Sequence, residues 1–238
     1  GLQSDMGLWP AIAVALLVGA TIGAANGMII ALIKGNAGDS FMVTFGMQVL
    51  IQSLALIYSG GYIIPGSELA EYNFFGKGVV GGVPVPALIF IFISLASFVF
   101  LTKTKVGRQI YYMGANFEVA RLSGLPVNKY RILVYTISGL FAAIAAVVLT
   151  GRVGGAQPKA GLNYEFEALT ALVIGGISLK GGAGNTVHAI IGILIMSVLG
   201  NALNLIGITP ENQFIVKGAM LILAVIFENY KNIRKENR

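Results

Sequence analysis

Thr44, Gln48 and Gln52 recur at every fourth position of an otherwise apolar stretch. That spacing places them on one face of a helix. Lipid cannot satisfy a polar stripe, so such a face turns toward protein or a water-filled path. Glutamine offers both donors and acceptors, which suits the hydroxyls of a sugar. The competing reading is hydrogen bonding between helices, and the residue types do not separate the two. Asn201 and Asn204, three apart, pose the same choice. Residues 151–167 hold Gln157, Tyr164 and Glu165 among glycines and Pro158, which exclude a continuous helix. A polar irregular segment beside a short apolar one reads as a gate or as an ordinary external loop.

Other chemistry is sparse. One histidine and no cysteine cannot assemble a metal cluster, and no nucleophile–base pair is visible. His188 could relay protons, but near a helix start a structural role is the simpler reading. The glycine cluster at 175–185 lacks the Gly-Lys-Ser/Thr of a phosphate loop and follows no strand. Any ATP must therefore be held by another chain. These absences argue against an enzyme acting alone.

The elements that position these residues follow from composition. Of 238 residues, 56% are hydrophobic and 11% are charged. A soluble domain carries about 25% charged residues. With mean hydropathy +0.81, the chain reads as an all-α, multi-pass membrane protein. A span needs about 20 apolar residues. Seven segments are expected, at residues 8–33, 41–59, 83–101, 132–150, 166–179, 186–208 and 214–227. The fifth is short, either half-buried or broken. Ala15, Gly19, Gly23 and Gly27 form a small-residue face on the first, suited to close helix packing, with Asn26 at its border.

Basic residues orient the spans, because Lys and Arg are retained on the cytoplasmic side. The loop at 102–131 holds Lys103, Lys105, Arg108, Arg121, Lys129 and Arg131 against one acid, Glu118. The tail holds Lys231, Arg234, Lys235 and Arg238. Four crossings separate loop from tail, so both lie inside only if 166–179 crosses. Asp5, Glu68 and Glu71 then lie outside. Net charge +6 thus reports topology rather than nucleic-acid binding. The first seven residues lack the basic start of a signal peptide.

Inside the basic loop, residues 116–123 read as a capped seven-residue helix. Asn116 is a suitable N-cap, Gly124 a left-handed terminator, and Pro126 bars continuation. A short rigid charged helix on the cytoplasmic face can receive force from a soluble partner. Transport driven by another subunit is the leading reading.

The run Tyr112-Met113-Gly114-Ala115-Asn116-Phe117-Glu118-Val119-Ala120-Arg121-Leu122-Ser123-Gly124 resembles the coupling segment of bacterial ABC-type monosaccharide importer permeases of the ribose/galactose/xylose type. So do Gly154-Gly155-Ala156-Gln157-Pro158, Tyr164-Glu165, Ile174-Gly175-Gly176-Ile177-Ser178-Leu179 and Ala202-Leu203-Asn204-Leu205-Ile206-Gly207-Ile208. The likeness covers essentially the whole chain. Phe117, where a small residue or proline is frequent, and Lys180, often alanine, depart from the pattern. The resemblance implies one permease domain over residues 1–238, lacking N-terminal spans of a permease with about ten. It implies a multi-pass subunit in the bacterial cytoplasmic membrane. The implied partners are a second permease copy or paralogue, an extracytoplasmic sugar-binding protein, membrane lipid, and a cytoplasmic ATPase that holds ATP and Mg. Asn116, Phe117, Glu118, Val119, Arg121, Leu122, Ser123 and Gly124 would dock on that ATPase. The alternatives are a self-powered secondary transporter or channel, which should carry carboxylates inside its spans, and a permease of the same superfamily for branched-chain amino acids or a signalling sugar.

Overall fold

The computed structural model describes residues 7–66, 70–179 and 181–236, with the side chains of 37, 70, 210 and 227–236 left aside. Asp5, Glu68, Lys180 and Arg238 lie outside the described residues. In chain order the elements are α1 (Leu8–Leu32), α2 (Ala37–Ser59), β1 (Ile64–Pro65), α3 (Ala70–Lys77), β2 (Val79–Val80), β3 (Val83–Pro84), α4 (Val85–Lys103) and α5 (Lys105–Ala115). They continue with α6 (Phe117–Leu122), α7 (Val127–Val153), β4 (Gly155–Ala156), α8 (Tyr164–Ile174), α9 (Thr186–Leu205) and α10 (Pro210–Glu236).

Among the described residues, α1, α2, α4, α7 and α9 are long and apolar enough to cross a membrane. These are the first, second, third, fourth and sixth expected segments. The seventh is α10, which starts at Pro210 and runs past both expected ends. The fifth differs most. Its helix, α8, has 11 residues and rises about 16 Å, half the hydrocarbon thickness. The break falls at Gly175 and Gly176, the second with φ +85°. This is the broken form of the expected segment, not a full helical span.

The chain groups into two compact units, Gly1–Ile93 with Gly124–Ala160, and Ser94–Ser123 with Gly161–Arg238. The first is built on α1 against α7. Ala15's neighbours on the small-residue face, Gly19, Gly23 and Gly27, meet Gly139, Thr136 and Ile132 of α7 backbone to backbone. A Cβ on Gly19 would lie 2.5 Å from Gly139 O, and one on Gly27 would lie 2.7 Å from Ile132 Cα. The face is therefore a packing ridge, as the spacing suggested. Asn26 does not bond across it: its Oδ1 is buried without a partner. Arg131 fastens the same end of the pair, donating to Ile30 O at 3.3 Å and Gly35 O at 2.6 Å. It is a second donor to Ile30 O, which already accepts from Gly35 N, and it ties down the Gly35 carbonyl just beyond α1.

At the opposite end of α7, α3 packs on Gly151, and β1 pairs antiparallel with β4 (Ile64 with Ala156). The segments assigned outside by charge thus share one end of this unit. In the second unit α8 lies against α9 and α10. A Cβ on Gly192 of α9 would stand 2.8 Å from the Ala171 carbonyl carbon of α8, so these two helices also meet through glycine.

Candidate functional site

The basic segment after α4 is more ordered than a loop. Thr104 caps α5, its side chain accepting from Gly107 N at 3.0 Å. The sequence reading missed α5, although Thr104 at the end of an apolar run was the available signal. The chain breaks at Asn116, which ends α5 and caps α6 with φ −155° and ψ 105°. Its Oδ1 accepts from Val119 N at 3.0 Å, the cap the sequence predicted. The helix itself has six residues rather than seven. Ser123 is its C-cap, and Ser123 Oγ donates back to Val119 O at 2.8 Å. Gly124 follows at φ +79°, a conformation favourable only to glycine.

The exposed face of α6 has a definite chemistry. Val119 is 56% and Leu122 80% exposed, whereas Ala120 is buried. Arg121 and Glu118 pair at 2.9 Å on the surface between them. Such an exposed pair is worth about 0.3–0.5 kcal/mol, so it holds geometry more than stability. Phe117 is half-buried and Tyr112 of α5 is exposed. The result is a stiff apolar knob rimmed by opposite charges.

The residues expected to line a path separate by unit. Thr44, Gln48 and Gln52 do share one half-buried face of α2, while the faces on either side are exposed. Thr44 Oγ1 donates to Ser40 O of its own helix at 2.9 Å, so its hydroxyl is already committed. Gln157 is exposed just beyond β4. In the second unit Tyr164 is exposed and Glu165 half-buried in the first turn of α8. Asn204 is taken up in a turn clamp: Gln213 Nε2 donates to Asn204 Oδ1 at 2.8 Å and to Ile208 O at 2.9 Å. Through this bond Asn204 helps hold the start of α10. Asn201 is exposed on α9. His188 is exposed in the first turn of α9, its backbone amide donating to Asn185 Oδ1 at 2.8 Å.

Two features escaped sequence reasoning. Lys217, inside the apolar run of α10, pairs with Glu167 of α8. Their partnership spans 50 positions, so no local pattern announces it. The second is a cavity of about 320 Å³ in the first unit, walled mainly by α1 and α7. Tyr58, Tyr72 and Thr150 are the hydroxyls on its otherwise apolar lining, and none of the expected path residues reaches it. Burial pushes the Tyr72 phenol above its usual pKa, so it remains a donor.

Comparison with known proteins adds identity to this geometry. The family described as branched-chain amino acid transport system / permease component matches residues 2–225. The ribose import permease protein RbsC of Escherichia coli is 41% identical over 224 residues, covering 93% of this chain and 69% of that protein. The protein of the same name from Haemophilus influenzae is 36% identical over 234 residues, covering 97% and 72%. The L-arabinose transport system permease protein AraH of Escherichia coli is 36% identical over 212 residues, covering 88% and 63%. No solved structure matches the chain.

Proposed function

The chain belongs to the branched-chain amino acid transport system / permease component family, and on that premise we propose that it is the membrane subunit of an ATP-driven importer for a monosaccharide, ribose or a related sugar. The observation that carries the coupling half of this reading is the α6 knob. A groove that covers Val119 and Leu122 gains about 1.5–3 kcal/mol for each side chain fully buried. The Asn116 cap and the Gly124 terminator keep the helix from fraying under push and pull. The cytoplasmic partner with such a groove is an ATPase, which supplies ATP and Mg that this chain has no motif to hold. Closure of the ATPase would move the knob as a rigid body and switch the path between outward and inward access.

A sugar fits the relatives, whose names specify ribose and arabinose. Delivery from outside would fall to a sugar-binding protein, and a second copy or paralogue of the permease would complete the path, all within membrane lipid. Thr44, Gln48, Gln52, Gln157, Tyr164, Glu165, Asn201 and Asn204 remain candidates for the path. The permease has no reaction of its own in this scheme.

A branched-chain amino acid is the second reading, favoured by the description of the matching family. A self-powered transporter is favoured by one observation, the Glu167–Lys217 pair between membrane segments. Reconstitution with the ATPase and binding protein separates all three. The expected outcome is uptake of labelled ribose or arabinose that needs ATP. Uptake of leucine instead, or sugar uptake without ATP, overturns it. Replacing residues 116–123 with a Gly/Ser linker should abolish stimulated ATP hydrolysis while the protein still inserts. Stimulation that survives the replacement removes the knob from the mechanism.

A further inference from the structure

We propose that Gly114 and Gly182 are positioning residues that carry displacement of the α6 knob into the α8–α9 helix pair. The inference rests on the reading above, that an outside motor moves the knob. Gly114 lies in the last turn of α5, two residues before the Asn116 cap. A Cβ there would stand 2.8 Å from Gly182 N and 3.3 Å from Gly182 Cα. A Cβ on Gly182 would stand 2.6 Å from Ala115 N and 2.9 Å from Ala115 Cβ. The end of α5 therefore bears on the turn at 181–182 through main chain and the Ala115 methyl group, with no longer side chain between.

The described residues of the turn that receives this contact are tied together by hydrogen bonds. Ser178 N donates to Ala183 O at 3.1 Å, and Gly181 N donates to Ser178 O at 3.1 Å. Gly184 closes against Ile177, where an added Cβ would lie 2.8 Å from Ile177 Cγ1. Beyond the turn, α8 and α9 again touch through glycine. A Cβ on Gly175 would be 2.9 Å from the His188 carbonyl carbon, and one on Gly192 would be 3.0 Å from Gly175 N. Four glycine contacts thus run from the knob to a half-length helix. Side chains change rotamer and absorb a shift. Packed backbone passes it on. The half-helix α8 carries Tyr164, Glu165 and Glu167 in its first turn, so the displacement reaches polar groups rather than lipid-facing ones.

The test uses the whole permease reconstituted with its ATPase and sugar-binding protein, and reads sugar moved per ATP hydrolysed. Gly114→Ala adds one methyl group to a helical position and should lower that ratio about tenfold. ATP hydrolysis and retention of the ATPase on the complex should hold. Gly182→Ala should do the same. Its φ of +71° adds backbone strain, and Gly176→Ala controls for it, with φ +85° and nothing within 4 Å of the added Cβ. Gly176→Ala should leave the ratio unchanged. An unchanged ratio in Gly114→Ala overturns the proposal, as does a loss in Gly176→Ala equal to that in Gly182→Ala. If Gly114→Ala fails to assemble, Gly181→Ala gives a milder steric push, its Cβ 3.0 Å from Gly114 O, and its φ of +91° is covered by the same Gly176→Ala control. A normal ratio there is also refuting. A wild-type complex that moves no sugar with ATP sinks the transport reading itself, a result separate from any effect of these variants.

Discussion

Lys217 carries a full charge in an apolar stretch of α10 and is only 19% exposed at its side chain, against 35% for Glu167. Between the exposed and buried limits, breaking such a pair costs about 1–3 kcal/mol, most of it from the charge left behind. Lys217→Met is therefore expected to lower the thermal midpoint of the detergent-solubilised protein. Adding Glu167→Gln should restore part of the loss, because no unpaired carboxylate then remains. A double variant no better than the single would show that the stranded carboxylate is not the source of the loss. Asn116 makes the opposite point about legibility. Its cap is a contact with the third residue onward, so the sequence displays it in full. Asn204 shares a helix side with Asn201, and its partner Gln213 comes from beyond a turn. A polar side chain in a span shows only that a partner exists, not which one.

At the scale of elements, the ridge of α1 decides how close α7 can come. Gly23→Leu must displace the α7 backbone, where an added Cβ would already lie 3.0 Å from Thr136 Cα. Overpacking of this kind costs about 1–3 kcal/mol or more, so the variant should insert but lose thermal stability, measured by retention of the monodisperse peak on heating. Gly46→Leu in α2, with nothing within 4 Å, should leave that peak unchanged. The ridge was readable because four-residue spacing in small residues has one geometric meaning. Helix starts were less so: α2 begins at Ala37, not Phe41, because Asn36 and Asp39 cap each other reciprocally. That signal was present in the sequence but weaker than the hydropathy contrast. The truncation of α8 followed from Gly175 and Gly176, whose conformational freedom outweighs the apolar run that continues past them.

For the molecule as a whole, orientation is the property on which the coupling scheme depends. The chain has no cysteine, so single substitutions report sidedness without a background. Ser123→Cys should react with an impermeant maleimide only in inside-out vesicles. Tyr62→Cys, exposed in the segment before β1 that charge assigns to the outside, should react in intact cells. Labelling of Ser123→Cys from outside would end the case for a cytoplasmic knob. The sequence alone determined the membrane class, the α1 ridge and the capped α6, because hydropathy and caps act within a few residues. Only the tertiary structure decided that α8 stops halfway, that Glu167 finds Lys217, that Asn204 serves a turn, and that Gly114 bears on Gly182. Those outcomes depend on which distant backbones meet, and glycine carries no side chain to advertise its partner.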